Sequence, residues 1–475
     1  MSIRDRLGNV FKTREEFDLT SGGIARPLFY LSLPIVVTNL LQTAYNLTDT
    51  FWLGQYSTNA LAAISFAFPM VFLLIALGMG LSVAGSVLVA QHTGADEQQQ
   101  AGYAASQTVV FSVVAALMIG GGGYFLVGDL LALLGASPAV LPLATSYMRI
   151  ISLGLVFMFG FWIFVALMRG YGDTVTPMLV MFGSVAINIV LDPFLIFGWG
   201  PFPRLGVAGA AYATIFARML AMVVGLSILI HGSHGLQIRL EQMIPNLSYL
   251  RKMLRIGVPA SVEVTGRALS VNLLLIIVGL FPTTVVAGYG IGVRVFSVIF
   301  LPAIAVARGV ETMTGQNIGA DERDRVAATN DFAARAMFLI LGAMGIVVWL
   351  SARPVVAVFT TNPAVTDVGV TFLQYVAPTF GFIGVVRAYT GGFRGAGKTL
   401  TAAVISVLML GVIRLPVAWF ASRPFGAEGI WLSFAVSNVT GAVIAFLWFR
   451  RGTWREADLT DERQHADSAQ SAVND

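Results

Sequence analysis

The chain alternates between apolar runs of about 20 residues, each long enough to cross a bilayer as a helix, and short polar breaks. Roughly twelve such runs follow one another, at approximately 28–53, 60–90, 103–127, 141–168, 177–198, 206–231, 253–280, 285–312, 329–351, 366–392, 401–421 and 427–450, with ends placed to within about 2–4 residues. The first run departs from plain apolarity in a patterned way. It reads PIVVTNLLQTAYNLTDTFWLG from Pro34 to Gly54, and Gln42, Tyr45, Asn46 and Asp49 are spaced by threes and fours, so one helical face collects them. An ionisable group inside a spanning helix is costly unless it is paired, wetted or part of an ion pathway. Pro34 lies about four turns before Asp49, where its missing N–H predicts a helix bend.

The pattern then repeats. Gln91–Glu97 (QHTGADE) returns as Gln316–Glu322 (QNIGADE), Met168–Thr174 (MRGYGDT) returns as Phe393–Thr399 (FRGAGKT), and Pro34 answers to Pro259. One offset of about 225 residues serves all three pairs, which marks an internal duplication. Six helices per half return the chain to its starting side. The expected fold is therefore an all-α membrane protein, twelve transmembrane helices in two six-helix bundles related by an internal parallel repeat, with a cavity between bundles and alternating access by rocking. The predicted organisation is a cytoplasmic N-terminal segment (1–26), an N-lobe (27–231), a cytoplasmic linker (232–252), a C-lobe (253–450) and a cytoplasmic tail (451–475). The tail is too poor in apolar residues to fold and is expected to be disordered.

Composition agrees with the pattern. Hydrophobic residues make up 56% of the chain and charged residues 11%, against about a quarter charged in soluble domains. The net charge of +4 reflects basic residues gathered in inside loops, and no nucleic-acid partner is expected. With a cytoplasmic N-terminus, roughly 19 Lys and Arg fall inside and roughly 3 (Arg204, Arg353, Arg423) outside. Both termini are thus placed in the cytoplasm, and the protein is placed in the cell's plasma (inner) membrane as a multi-pass chain. The first twenty residues alternate in sign, with no apolar core or small-residue cleavage site, so no cleaved leader is expected. The absence of cysteine excludes disulfides and thiol chemistry. His92, His231, His234 and His465 fall in loops or tail without an HExxH pair, so a metalloprotease has no ligands. Gly392–Thr399 satisfies the phosphate-loop pattern, but it joins two membrane helices, and no ATP binding is expected. No nucleophile and base stand together, so the chain is not read as an enzyme.

These motifs have a known counterpart. A first span with LxxPxxxxxLLQTxYNLxDTFWxG, QxxGA after the second and eighth, RGxG(D/K)T after the fourth and tenth, and NIxLDPxxIFG in the fifth resembles the multidrug and toxic compound extrusion (MATE) transporters, over about residues 20–450. Within them it looks like the archaeal and DinF-type branch, whose acids sit in the N-terminal lobe. The resemblance implies antiport: export of organic drugs or metabolites, commonly cationic or amphiphilic, against inward H⁺ or Na⁺. It also implies a monomer whose partners are a small-molecule substrate and the bilayer, with no cofactor and no metal beyond Na⁺. The family's cation site carries over to Asp49, Asn188 and Asp192, with Thr214 taken for the sixth-helix threonine. Tyr45, Gln42, Tyr147 and Asn46 become cavity residues and Pro34 the bending position. The alternative is a lipid-linked glycan flippase or polysaccharide exporter of the same superfamily. Those carry more basic cavities, whereas Asp49 and Asp192 make this lobe acidic.

Asn188 and Asp192 are one helical turn apart on one face. Two buried carboxylates that meet cannot both stay ionised, so they hold a proton between them or bind a hard cation through oxygen. The offset maps Asp49 onto Leu274 and Asp192 onto Val417, leaving the C-lobe without the pair. It offers Glu263 instead, four residues before Arg267. That spacing allows a structural ion pair on one helical face, and a substrate or proton role stays open. The tenth span carries Arg387 where another branch has an acid. Glu311, near Arg308, is expected at the membrane interface. Phe157, Met158, Phe159, Phe161 and Trp162 are read as packing, and Gly120–Gly123, Gly206 and Gly209 as sites of close helix approach.

Overall fold

The computed structural model describes residues 11–12, 14–456 and 459. Among them there is no strand. The helices are α1 (Ala25–Tyr56), α2 (Thr58–Gly94), α3 (Gln98–Leu133), α4 (Leu141–Leu153), α5 (Leu155–Tyr171), α6 (Val175–Phe197), α7 (Val207–His231), α8 (Leu247–Val278), α9 (Thr283–Gly319), α10 (Arg323–Leu350), α11 (Ala352–Ala357), α12 (Pro363–Val376), α13 (Phe380–Gly395), α14 (Thr399–Val407), α15 (Leu415–Phe425) and α16 (Ala427–Arg450). A π-helical turn, Leu408–Arg414, joins α14 to α15.

Eleven described helices or joined helices are long and apolar enough to span a membrane, and the twelfth is α4 plus α5, bent by 54° at one break. The predicted count of twelve is recovered. The break falls at Gly154, where a side chain would collide with Ile215 of α7. Helix α1 runs unbroken through Pro34. Several helices outrun their apolar cores by one or two turns, because backbone hydrogen bonding continues into the aqueous loops after hydropathy has fallen.

The duplication is written into the backbone. Asp96 (φ 60) and Asp321 (φ 58), the only non-glycine residues at positive φ among those described, occupy equivalent places in QHTGADE and QNIGADE. Gly172 (φ 106) and Gly397 (φ 74) end the two RGxG turns in the same left-handed conformation, where glycine has no Cβ to clash. The turn at Gly172 continues into a cap, with the Asp173 carboxylate accepting from the amides of Val175 and Thr176 at 3.0 Å. Lys398 stands in its place in the second copy. The glycine turn joins two helices there, as the phosphate-loop look-alike required.

The chain divides into two units. One contains Leu33–Ser261; the other contains Asp18–Ser32 and continues from Val262. The first turns of α1 therefore belong with the second unit, and the start of α8 with the first, a division that the lobe boundaries at 27, 231 and 253 did not anticipate. In the second unit Arg325 donates to the carbonyls of Leu19, Ser21 and Gly22, and Asn317 to that of Leu19, which fastens this N-terminal piece to α9 and α10.

Inside lipid, apolar burial drives helix association weakly, and close backbone approach matters more. Gly209 shows it: an added Cβ would overlap the Leu195 carbonyl, so α7 meets α6 only because this residue has no side chain. Gly120 and Gly123 likewise lie against Ser152, whereas Gly121 and Gly122 face open space and pack nothing, contrary to the expectation for the whole run.

The linker is not loose. Gln107 of α3 donates to the carbonyls of Gln242 (2.6 Å) and Ile244 (2.8 Å) and accepts from the Asn246 amide, so the segment is laid along α3. The disordered tail was expected from residue 451, but Trp454 is buried and stacks on Phe449, donating to its carbonyl. Residues 1–10, 13, 457–458 and 460–475 lie outside the described residues.

Candidate functional site

In the first unit, five helices turn polar groups toward one place. Helix α1 brings Gln42, Tyr45, Asn46 and Asp49, α4 brings Tyr147, α5 brings Trp162, α6 brings Asn188 and Asp192, and α7 brings Thr214 and Arg218. A cavity of about 630 Å³ is lined by the α1 group together with Tyr147, Trp162, Thr214 and Arg218, and by the apolar walls Phe68, Phe72 and Met158. The three-and-four spacing read from α1 does collect its polar residues on this wall. Gln42 donates to Asn46 at 3.0 Å along it.

Asp49 is 1% exposed and Asp192 0%. The two carboxyls lie close enough to act on one another electrostatically, with Asn188 beside both. Asn188 donates Nδ2–H to Asp192 Oδ1 at 3.2 Å. One oxygen each of Asp49, Asp192 and Asn188, with the hydroxyls of Tyr45 and Thr214, has no hydrogen-bond partner of good geometry. Buried polar atoms are nearly always satisfied, so such a concentration marks a place built for something that arrives. Two facing carboxyls with an amide oxygen and hydroxyls nearby are suited to a shared proton or to a hard cation taking oxygen ligands.

Arg218 was missed at the sequence level. It is 2% exposed, donates to Gln42 Oε1 at 2.8 Å, and lies over the rings of Tyr45 (4.8 Å), Phe161 (5.1 Å) and Trp162 (5.9 Å). It is close enough to Asp49 for their charges to attract. An arginine inside the apolar run TIFARMLAMVV was the available signal. Phe161 and Trp162, expected as packing with a drug-stacking surface as the alternative, form part of its shelf.

A family model for MatE matches residues 34–194 and, a second time, 259–420. The chain belongs to this family. Two matches to one model, beginning at Pro34 and at Pro259, repeat the internal offset. The MATE chain is 29% identical over 451 residues to a probable multidrug resistance protein, YpnP, of Bacillus subtilis, covering 94% of this chain and 99% of the relative. It is 26% identical over 442 residues to an FAD transporter of Shewanella oneidensis, covering 92% and 97%. In fold it is similar to the Vibrio cholerae MATE transporter VcmN in its bent form, with a TM-score of 0.85 at 23% identity, covering 92% of this chain and 98% of that one. The family is one of transporters, not enzymes.

In the second unit of this MATE transporter, the acids take partners other than those foreseen. Glu263 does not bridge to Arg267. Arg394 of α13 donates Nη1–H to both Glu263 oxygens (3.1 and 3.2 Å), and Ser406 adds a third bond at 3.1 Å. Glu311 is buried and is held by Arg308 (2.9 Å) and Arg394 Nε (3.1 Å). Spacing along one helix pointed to Arg267, whereas the bidentate geometry came from another helix. Among the described residues no group of three or more His, Asp or Glu gathers where a metal could sit.

Proposed function

We propose that this MATE transporter is an antiporter that exports small amphiphilic compounds against H⁺ or Na⁺ entering through Asp49 and Asp192. The observation that carries the reading is the meeting of two buried carboxyls with Asn188 and unpartnered hydroxyls beside one cavity. Proton or Na⁺ binding removes the repulsion between the acids and changes the hydrogen bonding of α1. That helix carries Pro34, whose missing N–H leaves it weakest there. Release of the cation on the other side resets the pair and completes an alternating-access cycle.

Both acids ionised outnumber Arg218 by one negative charge, which favours a cation in this cavity, whether the coupling ion or the charged end of a substrate. Aromatic and soft walls at Phe68, Phe72, Met158 and Trp162 suit promiscuous contact. Relatives are named for drugs and for FAD, so substrate class must be argued from this chain's own cavities. We further take the protein to be a monomer in the plasma membrane, with both termini cytoplasmic and no cofactor or ATP. Nothing in the cavity favours the glycan-flippase alternative.

The test is uptake of a fluorescent cation into proteoliposomes with a pH gradient and a Na⁺ gradient imposed separately. One gradient alone should drive transport in the unaltered protein. Asp49→Asn and Asp192→Asn, reconstituted at equal amounts, should fall to the level of empty liposomes. Undiminished transport by both variants would refute the assignment.

A further inference from the structure

The second unit holds a cavity of its own, of about 370 Å³. It is the repeat-equivalent of the first. Under the offset of about 225 residues, Arg267 replaces Gln42, Ser270 replaces Tyr45, Leu274 replaces Asp49, Phe300 replaces Ile75 and Arg387 replaces Trp162, and each of these ten residues lines its own cavity. The exchange inverts the charge. No acidic residue lines the second cavity, while Arg267, Arg387 and Arg414 do.

Arg387 and Arg414 have no acid in contact, and Arg267 is attracted by Glu263 only at longer range, without a bridge. The nearby carboxylates are already claimed, Glu263 by Arg394 and Ser406, and Glu311 by Arg394 and Arg308. Among the described residues Arg267 and Arg387 make no hydrogen bond or ion pair, and both lie over the ring of Phe300, at 5.4 and 4.5 Å. Arg414 is buried. It donates to Ser437 (2.9 Å) and Asn438 (2.8 Å) and lies 4.2 Å over Phe434, with no acid in contact. Arg267 and Arg414 are near enough to repel one another. Arg267 and Arg387 are half-buried beside the buried Arg414, and gathering like charges away from water without an anion is costly. A built feature holds them there: Arg414 closes the π-helical turn Leu408–Arg414, which also supplies Met409 and Leu410 to the wall. Such turns recur at functional sites because one extra residue re-aims the side chains that follow.

We propose that this cavity binds an organic anion, a flat aromatic compound bearing a carboxylate or phosphate, with its acid group among Arg267, Arg387 and Arg414 and its ring against Phe296, Phe300 and Phe434. Guanidinium forks match carboxylate and phosphate oxygens, and the aromatic walls stack a planar ligand. As a substrate site it rests on the exporter reading; as a binding site it does not.

Fluorescein and rhodamine 6G share a xanthene skeleton and carry opposite charge. Their binding to the full chain in nanodiscs of zwitterionic lipid is read by fluorescence anisotropy, with empty nanodiscs subtracted. Fluorescein should bind more tightly than rhodamine 6G. The double variant Arg267→Gln/Arg387→Gln should weaken fluorescein by about tenfold or more. Arg387→Lys, which keeps the charge, should weaken it less, and Arg423→Gln, an exposed arginine away from the cavity, not at all. Variants are compared only where size exclusion gives the same monodisperse peak. A soluble naphthoate should displace the dye. The proposal fails if rhodamine 6G binds as well as fluorescein, if the double variant binds fluorescein unchanged, or if Arg423→Gln weakens it equally. It also fails if phosphatidylglycerol, and not naphthoate, displaces it, since the occupant is then lipid. The readout is binding, so failure here leaves cation-driven export standing, and undiminished transport by the Asp49 and Asp192 variants leaves this site standing.

Discussion

A guanidinium buried beside a carboxylate replaces its water with whatever the protein provides, and for Arg218 that is one amide oxygen, the Met181 sulfur, three aromatic faces and the charge of Asp49. Removing it strips Asp49 of the cation that attracts it. Breaking such a buried arrangement from one side costs about 3–5 kcal/mol, so Arg218→Gln should melt well below the unaltered protein. Asp49→Asn in the same chain should recover part of that loss, because the charge left unmatched is then gone; a coupling of about 0.5–3 kcal/mol is the range for groups in contact. The chain's tryptophans, eight in number, report unfolding, and with no cysteine thiol dyes cannot. Strictly additive single and double variants would show that Arg218 and Asp49 do not sense one another. At this scale the sequence was legible where a motif or a helical period applied: Asp49, Asn188, Asp192, Tyr45, Tyr147 and Thr214 do converge. It was not legible where partners came from distant helices, as Arg394 does to Glu263. Arg218 lies between these cases, since its anomaly in an apolar run was visible but its partners were not.

The twelve spans could be counted from hydropathy because each must hide its backbone from lipid within itself, and that demand is local to the run. What hydropathy does not carry is how a span departs from a straight α-helix. The 54° break between α4 and α5 and the π turn before α15 leave no mark in hydropathy. Small residues are the partial exception, and they separate into used and unused. Gly209 touches the Leu195 carbonyl, so Gly209→Ala should drive α6 and α7 apart and reduce the folded yield recovered in detergent. Gly183, on the same α6, has nothing within 4 Å of an added Cβ. There Gly183→Ala should leave yield unchanged and raise stability by roughly 0.5–1 kcal/mol through helix propensity. Equal yields from the two variants would mean that the α6–α7 approach is not limiting.

The repeat is the property of the whole chain most plainly readable in sequence, because turn geometry at Gly172 and Gly397 and at Asp96 and Asp321 preserves residue identity, while the lining positions between these turns have been released to diverge. Orientation is set by a different device, the charge bias of the loops, which acts during insertion and leaves no contact behind. It yields a sharp expectation. The chain contains no cysteine, so a single introduced thiol has no background. Ser137→Cys, in the exposed turn between α3 and α4, should react with a membrane-impermeant maleimide in intact cells. Ser233→Cys, equally exposed at the start of the linker, should react only after permeabilisation. If Ser233→Cys labels in intact cells and Ser137→Cys does not, the termini are outside. The direction of cation entry through Asp49 and Asp192 would then have to be reversed with them.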